Sequence, residues 1–343
     1  MKALILKEYN HLVYEDFPDP EIKSDEVLVR VKACGICGSD VHGMDGSSGR
    51  RQPPLIMGHE ASGVIEEIGE SVTEWQRGDR VTFDSTIYPL NDWYTVRGLY
   101  NLSNNRMVLG VSPDEYRRHG AFAEYVAIPQ HILYKIPDNV SFDQAAMVEP
   151  FAVAAHAVEL TPVLLQDTAV VVGAGMIGLC IIQILKARGA GQIVAVDLDS
   201  ERLQLARQLG VHVTMHAERD PVKKQVIEIT QNRGSDIAFE AVGISSSVKL
   251  AVDVVRRGGT VTLVGNVSPE VELPLQSVVT RQIRLQGSCA ICGEYPMILD
   301  MMAHNQLNVD VLLSATAPLQ EGSEWFQKLY NREKGLMKVV LNP

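Results

Sequence analysis

The feature that most constrains the fold is a glycine motif set between an apolar strand and an apolar helix. Residues 169–172 read Ala-Val-Val-Val, Gly173-Ala174-Gly175-Met176-Ile177-Gly178 follows, and residues 179–185 are almost all apolar. Strand, G-x-G-x-x-G and helix in this order are typical of a dinucleotide-binding unit. Gly173 is expected to make a tight turn and Gly175 to admit a pyrophosphate. Gly178 would allow close packing of the helix on the strand.

Strand and helix patterns alternate around this motif. The predicted strands are 168–172, 192–197, 211–214, 236–240, 260–265 and 283–287. The predicted helices are 176–188, 200–209, 221–232 and 245–257. A helix near 294–304 and a strand at 337–341 follow. Alternation at this spacing predicts an α/β fold, with a parallel, doubly wound sheet covered by helices on both faces.

Asp197 ends the second predicted strand, about twenty residues after the glycines. A carboxylate at that place accepts hydrogen bonds from both ribose hydroxyls and repels a 2′-phosphate, so NAD is favoured over NADP. Arg202 lies about one helical turn further on. It is expected against the adenine ribose, with a solvated helix residue as the other interpretation.

The first 151 residues have a different pattern. Short β-branched runs at 27–31, 63–69 and 80–83 alternate with Pro and Gly, which predicts a coiled antiparallel sheet. Near residue 141 the pattern becomes helical. Ser141 and Gln144 predict a capping box, and helical spacing continues to residue 158, interrupted by Pro150.

Metal-binding side chains are concentrated in two short stretches of this β-rich region. Residues 34–42 carry two thiols, a hydroxyl, a carboxylate and an imidazole, and Gly58-His59-Glu60 adds an imidazole and a carboxylate. Thiolate, imidazole and carboxylate are ligands that zinc takes, and catalytic zinc keeps three protein ligands with one open position. We expect Cys37 and His59 as ligands, with Glu149 as the third.

Two neighbouring carboxylates have supporting roles in this interpretation. Glu60 is expected to bind a metal-held water or exchange with it, and Asp40 to orient the His59 ring. Two alternatives stay open from the residues alone. Cys34-x-x-Cys37 could be a redox dithiol, and it could join Cys289-x-x-Cys292 in a structural four-cysteine zinc site.

Bulk composition narrows the classes of partner. The chain has 343 residues, enough for two domains, and its formal net charge is −11, which argues against nucleic acid and anionic membrane surfaces. The apolar run 169–182 is too short to cross a membrane, and the first residues do not resemble a signal peptide. Five cysteines do not make a disulfide scaffold, so a cytoplasmic location is expected.

Taken together, these motifs resemble the zinc-dependent medium-chain dehydrogenases, closest to the sorbitol (polyol) dehydrogenase branch. The resemblance rests on residues 34–42, 58–63, 78–81 and 149–150 ahead of the glycine motif. It implies a GroES-like β-rich catalytic domain at 1–152, a Rossmann NAD-binding domain at 153–289 and a return to the catalytic domain at 290–343. It also implies a homotetramer or homodimer without nucleic-acid or membrane partners.

The resemblance also assigns roles to individual positions. Cys37, His59 and Glu149 match the zinc positions, and Glu60 matches the residue that holds or replaces the zinc water. Ser39 matches the hydroxyl that takes the substrate proton, and His42 matches the end of the proton relay. The cofactor-contacting positions, besides the glycines, are Ile177, Asp197, Arg202 and Val264.

The sequence departs from the family pattern in two places. Residues 86–103 contain no cysteine, so the second, structural zinc of many relatives is not expected and one catalytic zinc per chain is predicted. The positions of polyol-binding side chains are occupied here by Gly43, Ala290 and Ile291. Missing hydrogen bonds there would weaken a polyol by roughly 1 kcal/mol or more apiece, which puts sorbitol itself in doubt.

The expected activity is hydride transfer between a secondary alcohol and NAD, giving the ketone. A polyol, a sugar alcohol and a sugar acid all fit as the alcohol. The alternatives are a diol or amino-alcohol dehydrogenase of the same family, a zinc-free reductase, and a non-catalytic NADH-binding regulatory protein.

Overall fold

The computed structural model describes residues 1–112 and 116–343. The chain divides into two compact units. The first unit combines Met1–Glu149 with Ile291–Pro343, and the second is Pro150–Ala290. The first unit is therefore built from segments that flank the second in sequence. The domain limits at 152/153 and 289/290 stay a prediction.

The strands, numbered in chain order, are β1 Lys2–Glu8, β2 His11–Asp16, β3 Glu26–Gly35, β4 Leu55–Ile56, β5 Glu60–Ile68, β6 Arg80–Phe83, β7 Thr86–Ile87, β8 Met107–Val108, β9 Tyr125–Pro129, β10 Leu133–Lys135, β11 Thr168–Val172, β12 Gln192–Asp197, β13 Val213–His216, β14 Ser235–Glu240, β15 Val255–Leu263, β16 Arg284–Gly287, β17 Leu313–Pro318 and β18 Lys338–Asn342. The α-helices are α1 Gly38–Met44, α2 Phe142–Ala146, α3 Val148–Glu159, α4 Met176–Arg188, α5 Ser200–Gln208, α6 Val222–Ile229, α7 Ser245–Val254, α8 Leu275–Thr280, α9 Tyr295–Ala303 and α10 Gly322–Tyr330.

The first unit is organised around β3. Its main sheet has the order β10-β6-β5-β3-β18-β17, and β9 also pairs with β3. The pairings of β3 with β5, β9 and β18 are antiparallel. Val27, Val29 and Val31 alternate along β3 and are buried, as a strand with one face in the core requires. The predicted antiparallel, β-rich region is confirmed.

The capping box at Ser141 forms as predicted. Ser141 Oγ accepts from the Gln144 amide, and Gln144 Oε1 accepts from the Ser141 amide, both at 3.1 Å. The helical segment predicted to be interrupted at Pro150 forms two helices, α2 and α3, but the break lies at Met147. Pro150 falls in the first turn of α3, where its missing N–H has no intrahelical partner to lose, so it starts a helix rather than breaking one.

The second unit is a parallel sheet in the order β13-β12-β11-β14-β15-β16. All of its pairings are parallel, which confirms the predicted doubly wound α/β arrangement. The third strand starts at Val213, later than predicted. Gly210 adopts φ +90° and the Val211 amide still bonds back to Ala206, so the helix end consumes the residues that were predicted as strand.

Within the described residues, no helix has the length and apolar character that a membrane span needs.

Candidate active site

The thiol of Cys37 caps a helix that the sequence did not predict. Cys37 is the N-cap of α1, and its Sγ accepts from the Ser39 amide at 3.4 Å. Asp40 closes the capping box by accepting from the Cys37 amide at 3.4 Å. The sulfur therefore has a fixed position at the start of α1.

Within residues 1–112 and 116–343, one compact group of potential metal ligands is present. It contains Cys37, His59 and Glu60, whose ligand atoms all lie within 4.8 Å of one another. His59 immediately precedes β5 and Glu60 begins it, while Cys37 follows β3, the neighbouring strand. The antiparallel pairing of β3 and β5 therefore joins the two stretches that the sequence separates by about twenty residues.

His59 is oriented by a buried carboxylate. Asp40 Oδ1 lies 3.5 Å from His59 Nδ1 and 2.7 Å from Arg51 Nη2. Burial alone would raise the pKa of Asp40, but the charges of His59 and Arg51 hold it at about 2. Burial opposes the charged form of His59 too, yet Asp40 and Cys37 raise its pKa well above the ordinary value. With Nδ1 facing Asp40, Nε2 is the nitrogen left for a metal.

Glu149 lies in the first turn of α3 and is buried. Its Oε1 accepts a hydrogen bond from Ser85 Oγ at 3.4 Å. Burial raises the pKa of Glu149 to about 7, partly offset by His59 and reinforced by Glu60. Among the described residues Glu149 is not a member of the 4.8 Å group, so its place as a zinc ligand stays a prediction.

Ser39 and His42 lie three residues apart on α1 and are both exposed. Positions i and i+3 share one face of a helix. Ser39 Oγ lies 3.3 Å from Cys37 Sγ and accepts from Arg51 Nη2 at 3.1 Å. Residue 43 must be small here, because a Cβ on Gly43 would approach the Cγ atom of Arg51 to 2.8 Å.

Two charged residues of this region were missed at the sequence level. Arg51 is buried and joins Ser39 to Asp40 through one nitrogen. Lys338 is also buried, and its Nζ donates to Oε1 and Oε2 of Glu60 at 2.8 and 2.6 Å. The available signal was the lone lysine at the start of the apolar run 338–341. Burial lowers the pKa of Lys338, but Glu60 more than compensates and raises it.

The cysteine alternatives gain no support from the surroundings of the thiols. Cys34 is completely buried, and burial raises its pKa well above the ordinary value, which is unfavourable for a redox thiolate. Cys292 donates its S–H to the Gly98 carbonyl at 2.9 Å. Cys34, Cys37, Cys180, Cys289 and Cys292 are all free thiols.

The glycine motif of the second unit shows the tight turn and the close helix packing that the sequence predicts for Gly173 and Gly178. Gly173 adopts φ +100° directly after β11. A Cβ on Gly178 would clash with the carbonyl oxygen of Gly173. Gly175 is the N-cap of α4, and because it has no side chain, the first amides of the helix are left for a ligand.

Asp197 and Arg202 both lie beside the glycine loop. Asp197 Oδ2 accepts from the Ala174 amide at 2.6 Å, and its Oδ1 accepts from the Asp199 amide at 2.8 Å. Arg202 Nη1 lies 3.7 Å from the point that a Cβ on Gly175 would occupy. The Arg202 side chain is 41% exposed, so both its contact with a ligand and its solvation are compatible with the geometry.

Ile177 and Val264 complete the predicted cofactor positions. Ile177 is half-buried in the first turn of α4, and Val264 follows β15, with its amide donating to the Glu240 carbonyl at 2.8 Å. The carboxyl ends of β11, β12 and β15 lie at the same edge of a parallel sheet. Ligands of doubly wound sheets bind at this edge, near the place where strand order reverses.

Comparison with known proteins agrees with both halves of this description. Residues 23–138 match the alcohol dehydrogenase GroES-like domain family, and residues 177–304 match the zinc-binding dehydrogenase family.

Similarity to individual proteins extends over nearly the whole chain. Human sorbitol dehydrogenase is 32% identical over 351 residues, covering 99% of this chain and 95% of that protein. The probable D-xylulose reductase A of Emericella nidulans is 31% identical, covering 99% and 96%. The crystal structure of 2R,3R-butanediol dehydrogenase from Bacillus subtilis superimposes with a TM-score of 0.90 at 31% identity, covering 100% and 99%. This chain therefore belongs to the zinc-dependent medium-chain dehydrogenase family and is an oxidoreductase.

Proposed function

We propose that this chain catalyses reversible hydride transfer between a secondary alcohol of a polyol or sugar alcohol and NAD, giving the ketone. The observation that carries the proposal is the grouping of Cys37, His59 and Glu60 next to the exposed hydroxyl of Ser39. The names of the relatives, a sorbitol dehydrogenase and a D-xylulose reductase, support this class of substrate.

The donor set fits zinc. A thiolate, an imidazole and a carboxylate within reach of one another are what zinc takes, and Asp40 behind His59 is the usual outer partner. We propose Cys37, His59 and Glu149 as its ligands, with one zinc per chain. Glu60 is proposed to hold the metal-bound water or to replace it. When bound, zinc supplies Lewis-acid stabilisation of negative charge on the alcohol oxygen.

Proton removal falls to residues of α1. Ser39 Oγ takes up the alcohol proton as it releases its own hydroxyl proton toward His42, and the hydrogen bond from Arg51 fixes the orientation of the hydroxyl. His42 lies on the same helical face and is exposed, so it is suited to pass a proton to solvent. Both roles depend on the helix that Cys37 caps.

The glycine loop fits NAD. The amides that open α4 bind the pyrophosphate, and Asp197, held in place by the Ala174 amide, selects a free ribose hydroxyl over a 2′-phosphate. Ile177, Arg202 and Val264 are proposed to contact the same cofactor. When bound, the nicotinamide accepts the hydride.

A diol is the second candidate substrate. Its support is the similarity to a 2R,3R-butanediol dehydrogenase, at 31% identity over the full chain. The absence of large polar side chains at Gly43 and Ile291 is compatible with a substrate that carries fewer hydroxyls.

Assembly and location are further proposals. Exposed apolar side chains on the second unit, including Val267, Leu275 and Val279, support a homotetramer or homodimer. Five free thiols support a reducing, cytoplasmic environment. The net charge of −11 supports small-molecule partners rather than nucleic acid. We propose residues 1–152 and 290–343 as the catalytic domain and residues 153–289 as the NAD-binding domain.

The test is a substrate panel on the zinc-loaded chain. Sugar alcohols, vicinal diols, sugar acids and amino alcohols are offered with NAD or NADP, and NADH absorbance is followed. We expect turnover of at least one sugar alcohol with NAD, loss of turnover after chelation, and about one zinc per chain by elemental analysis. NADH binding without turnover of any panel member would favour the regulatory alternative. Activity that survives chelation would favour a zinc-free reductase.

A further inference from the structure

Glu60 is already engaged by a cation of the chain itself. Lys338 Nζ donates to both carboxylate oxygens, at 2.8 and 2.6 Å, and to the Ile36 carbonyl at 3.1 Å. The three donors of the ammonium group are thereby used. Both side chains are almost inaccessible, with 2% and 1% exposure. Yet an oxygen of this same carboxylate lies within 4.8 Å of ligand atoms of Cys37 and His59.

The contact is built across three neighbouring strands. Glu60 begins β5, Gly35 ends β3 directly opposite it, and Val340 of β18 pairs with Gly35 on the other side. Lys338 is two residues before Val340, so both lie on the same face of β18. A Cβ on Gly35 would clash with Glu60 Oε2. Because residue 35 has no side chain, a passage is left beside β3, and the Glu60 carboxylate reaches Lys338 through it.

The charges of the site divide into pairs. Asp40 is paired with Arg51, and Glu60 is paired with Lys338. Among the proposed ligands this leaves Cys37 and Glu149, each of which carries one negative charge once a metal has displaced its proton. Two such charges match one divalent cation. Glu60 therefore is not needed to neutralise the metal, provided that Lys338 keeps it.

We propose that Lys338 is a positioning residue that holds Glu60 beside the metal rather than on it, through the passage left by Gly35. The inference rests on the proposed metal site. Without this restraint the carboxylate is free to turn toward the metal and fill the position that the alcohol oxygen requires. Lys338 thereby keeps one coordination position of the metal free for the alcohol. Glu60 can bind the metal only after its ion pair with Lys338 breaks.

The probe is Co²⁺ added to the full, metal-free chain, because the visible bands of cobalt weaken as its coordination number rises. Both oxygens of Glu60 now bind Lys338, and on release the carboxylate binds the metal through both in place of one water, which raises the coordination number by one. In Lys338→Met we expect weaker bands than in the unmodified chain, and Co²⁺ retention against a chelator increased by about tenfold, the scale of outer-shell effects. In Lys338→Arg, which keeps a cation, both should stay close to the unmodified chain. In Lys338→Met combined with Glu60→Gln, the bands should recover their intensity, because no carboxylate is left to enter.

The alternatives give different results. Unchanged bands in Lys338→Met overturn the inference, and so does an equal loss of intensity in the single and double variants, which indicates a general structural effect. If Lys338→Met does not fold, Gly35→Ala decides. It keeps both charges but blocks the passage, so weakened bands support the inference and unchanged bands reject it. An unmodified chain that binds no Co²⁺ rejects the metal site and with it the proposed function.

Discussion

The carboxylate of Asp197 accepts a hydrogen bond of 2.6 Å from the backbone amide of Ala174, inside the glycine loop. The end of β12 is thus tied to the turn that follows β11, and the side chain that shapes the loop is the one proposed to bind the ribose. A substitution at this position can therefore act through charge or through loop geometry, and the two effects need different variants.

Asp197→Asn and Asp197→Ala separate these effects. Asparagine keeps an oxygen for the Ala174 amide but removes the charge that repels a 2′-phosphate. We expect it to raise the NADP-to-NAD ratio of kcat/KM while the loop stays ordered. Alanine should add a loss of NAD efficiency of about tenfold, since hydrogen bonds to a charged group are lost as well. Steady-state kinetics with both cofactors checks this, and an unchanged ratio in both variants would reject Asp197 as the selector.

Gly178→Ala tests the packing of α4 on β11. A Cβ at this position would clash with the Gly173 carbonyl oxygen, so the helix must move away from the loop. We expect NADH affinity to fall by about tenfold or more, together with a loss of stability of about 1–3 kcal/mol. Gly287→Ala is the matched control, because a Cβ there meets no atom within 4 Å. Equal NADH affinity in the two variants, measured by fluorescence titration, would contradict the expected role.

Cys37→Ala should abolish zinc binding and turnover but leave NADH binding intact. Loss of the helix cap adds a destabilisation of about 1 kcal/mol. Cys292→Ala is the control, since that thiol is bonded to the Gly98 carbonyl and is not a proposed ligand. Elemental analysis of both purified variants gives the answer. Zinc lost on substituting Cys292 would revive the four-cysteine site, and zinc retained by Cys37→Ala would remove Cys37 from the ligand set.

Asp84 predicts a pH dependence of stability in the metal-free chain. Burial raises its pKa from an ordinary 3.8 to about 7, although hydrogen bonds from Tyr100 and Thr86 act in the opposite direction. Between these values the unfolded chain is ionised at this position and the folded chain is protonated, so stability falls as pH rises from about 4 to about 7 and is level above. The effect amounts to at most about 4 kcal/mol.

Asp84→Asn imitates the protonated side chain and should remove this slope. Its free energy of unfolding is expected to exceed that of the unmodified chain at pH 8 and to equal it near pH 4. Urea unfolding at several pH values measures the difference. Asp138→Asn, at an exposed position, serves as the control. If the two variants show parallel pH profiles, Asp84 ionises in the folded chain without penalty.

The α/β unit was predictable because its determinants are local. Each determinant can be recognised from its own segment of sequence, as at residues 169–172, the glycines and Asp197. Parallel strands joined by helices also have few alternative arrangements. At Gly210 a left-handed residue extended the helix cap into a predicted strand. Two other errors are α8, which was not predicted, and the start of β15, which lies inside the predicted helix 245–257.

The charged residues of the first unit were not predictable in the same way. Lys338 meets Glu60 across 278 positions of sequence, and Arg51 meets Asp40 across 11 with no regular element to relate them. The first pair depends on strand register and the second on the course of a loop, and a single sequence specifies neither. The short helix α1 was missed because its cap is a cysteine, a residue that is not among the usual N-caps.

The interrupted construction of the first unit also bears on the order in which the chain can fold. Strand β18 completes one side of β3, but it is synthesised only after every residue of the second unit has emerged. Until then, β3 lacks a partner on this side at Cys34 and Gly35, because β9 pairs only with residues 26–30 of the same edge. An unpaired strand edge is the kind of surface that associates with other chains. The contiguous second unit, with its shorter-range contacts, is suited to fold first. Late closure of this part of the sheet is thus a step at which a nascent chain is exposed to aggregation.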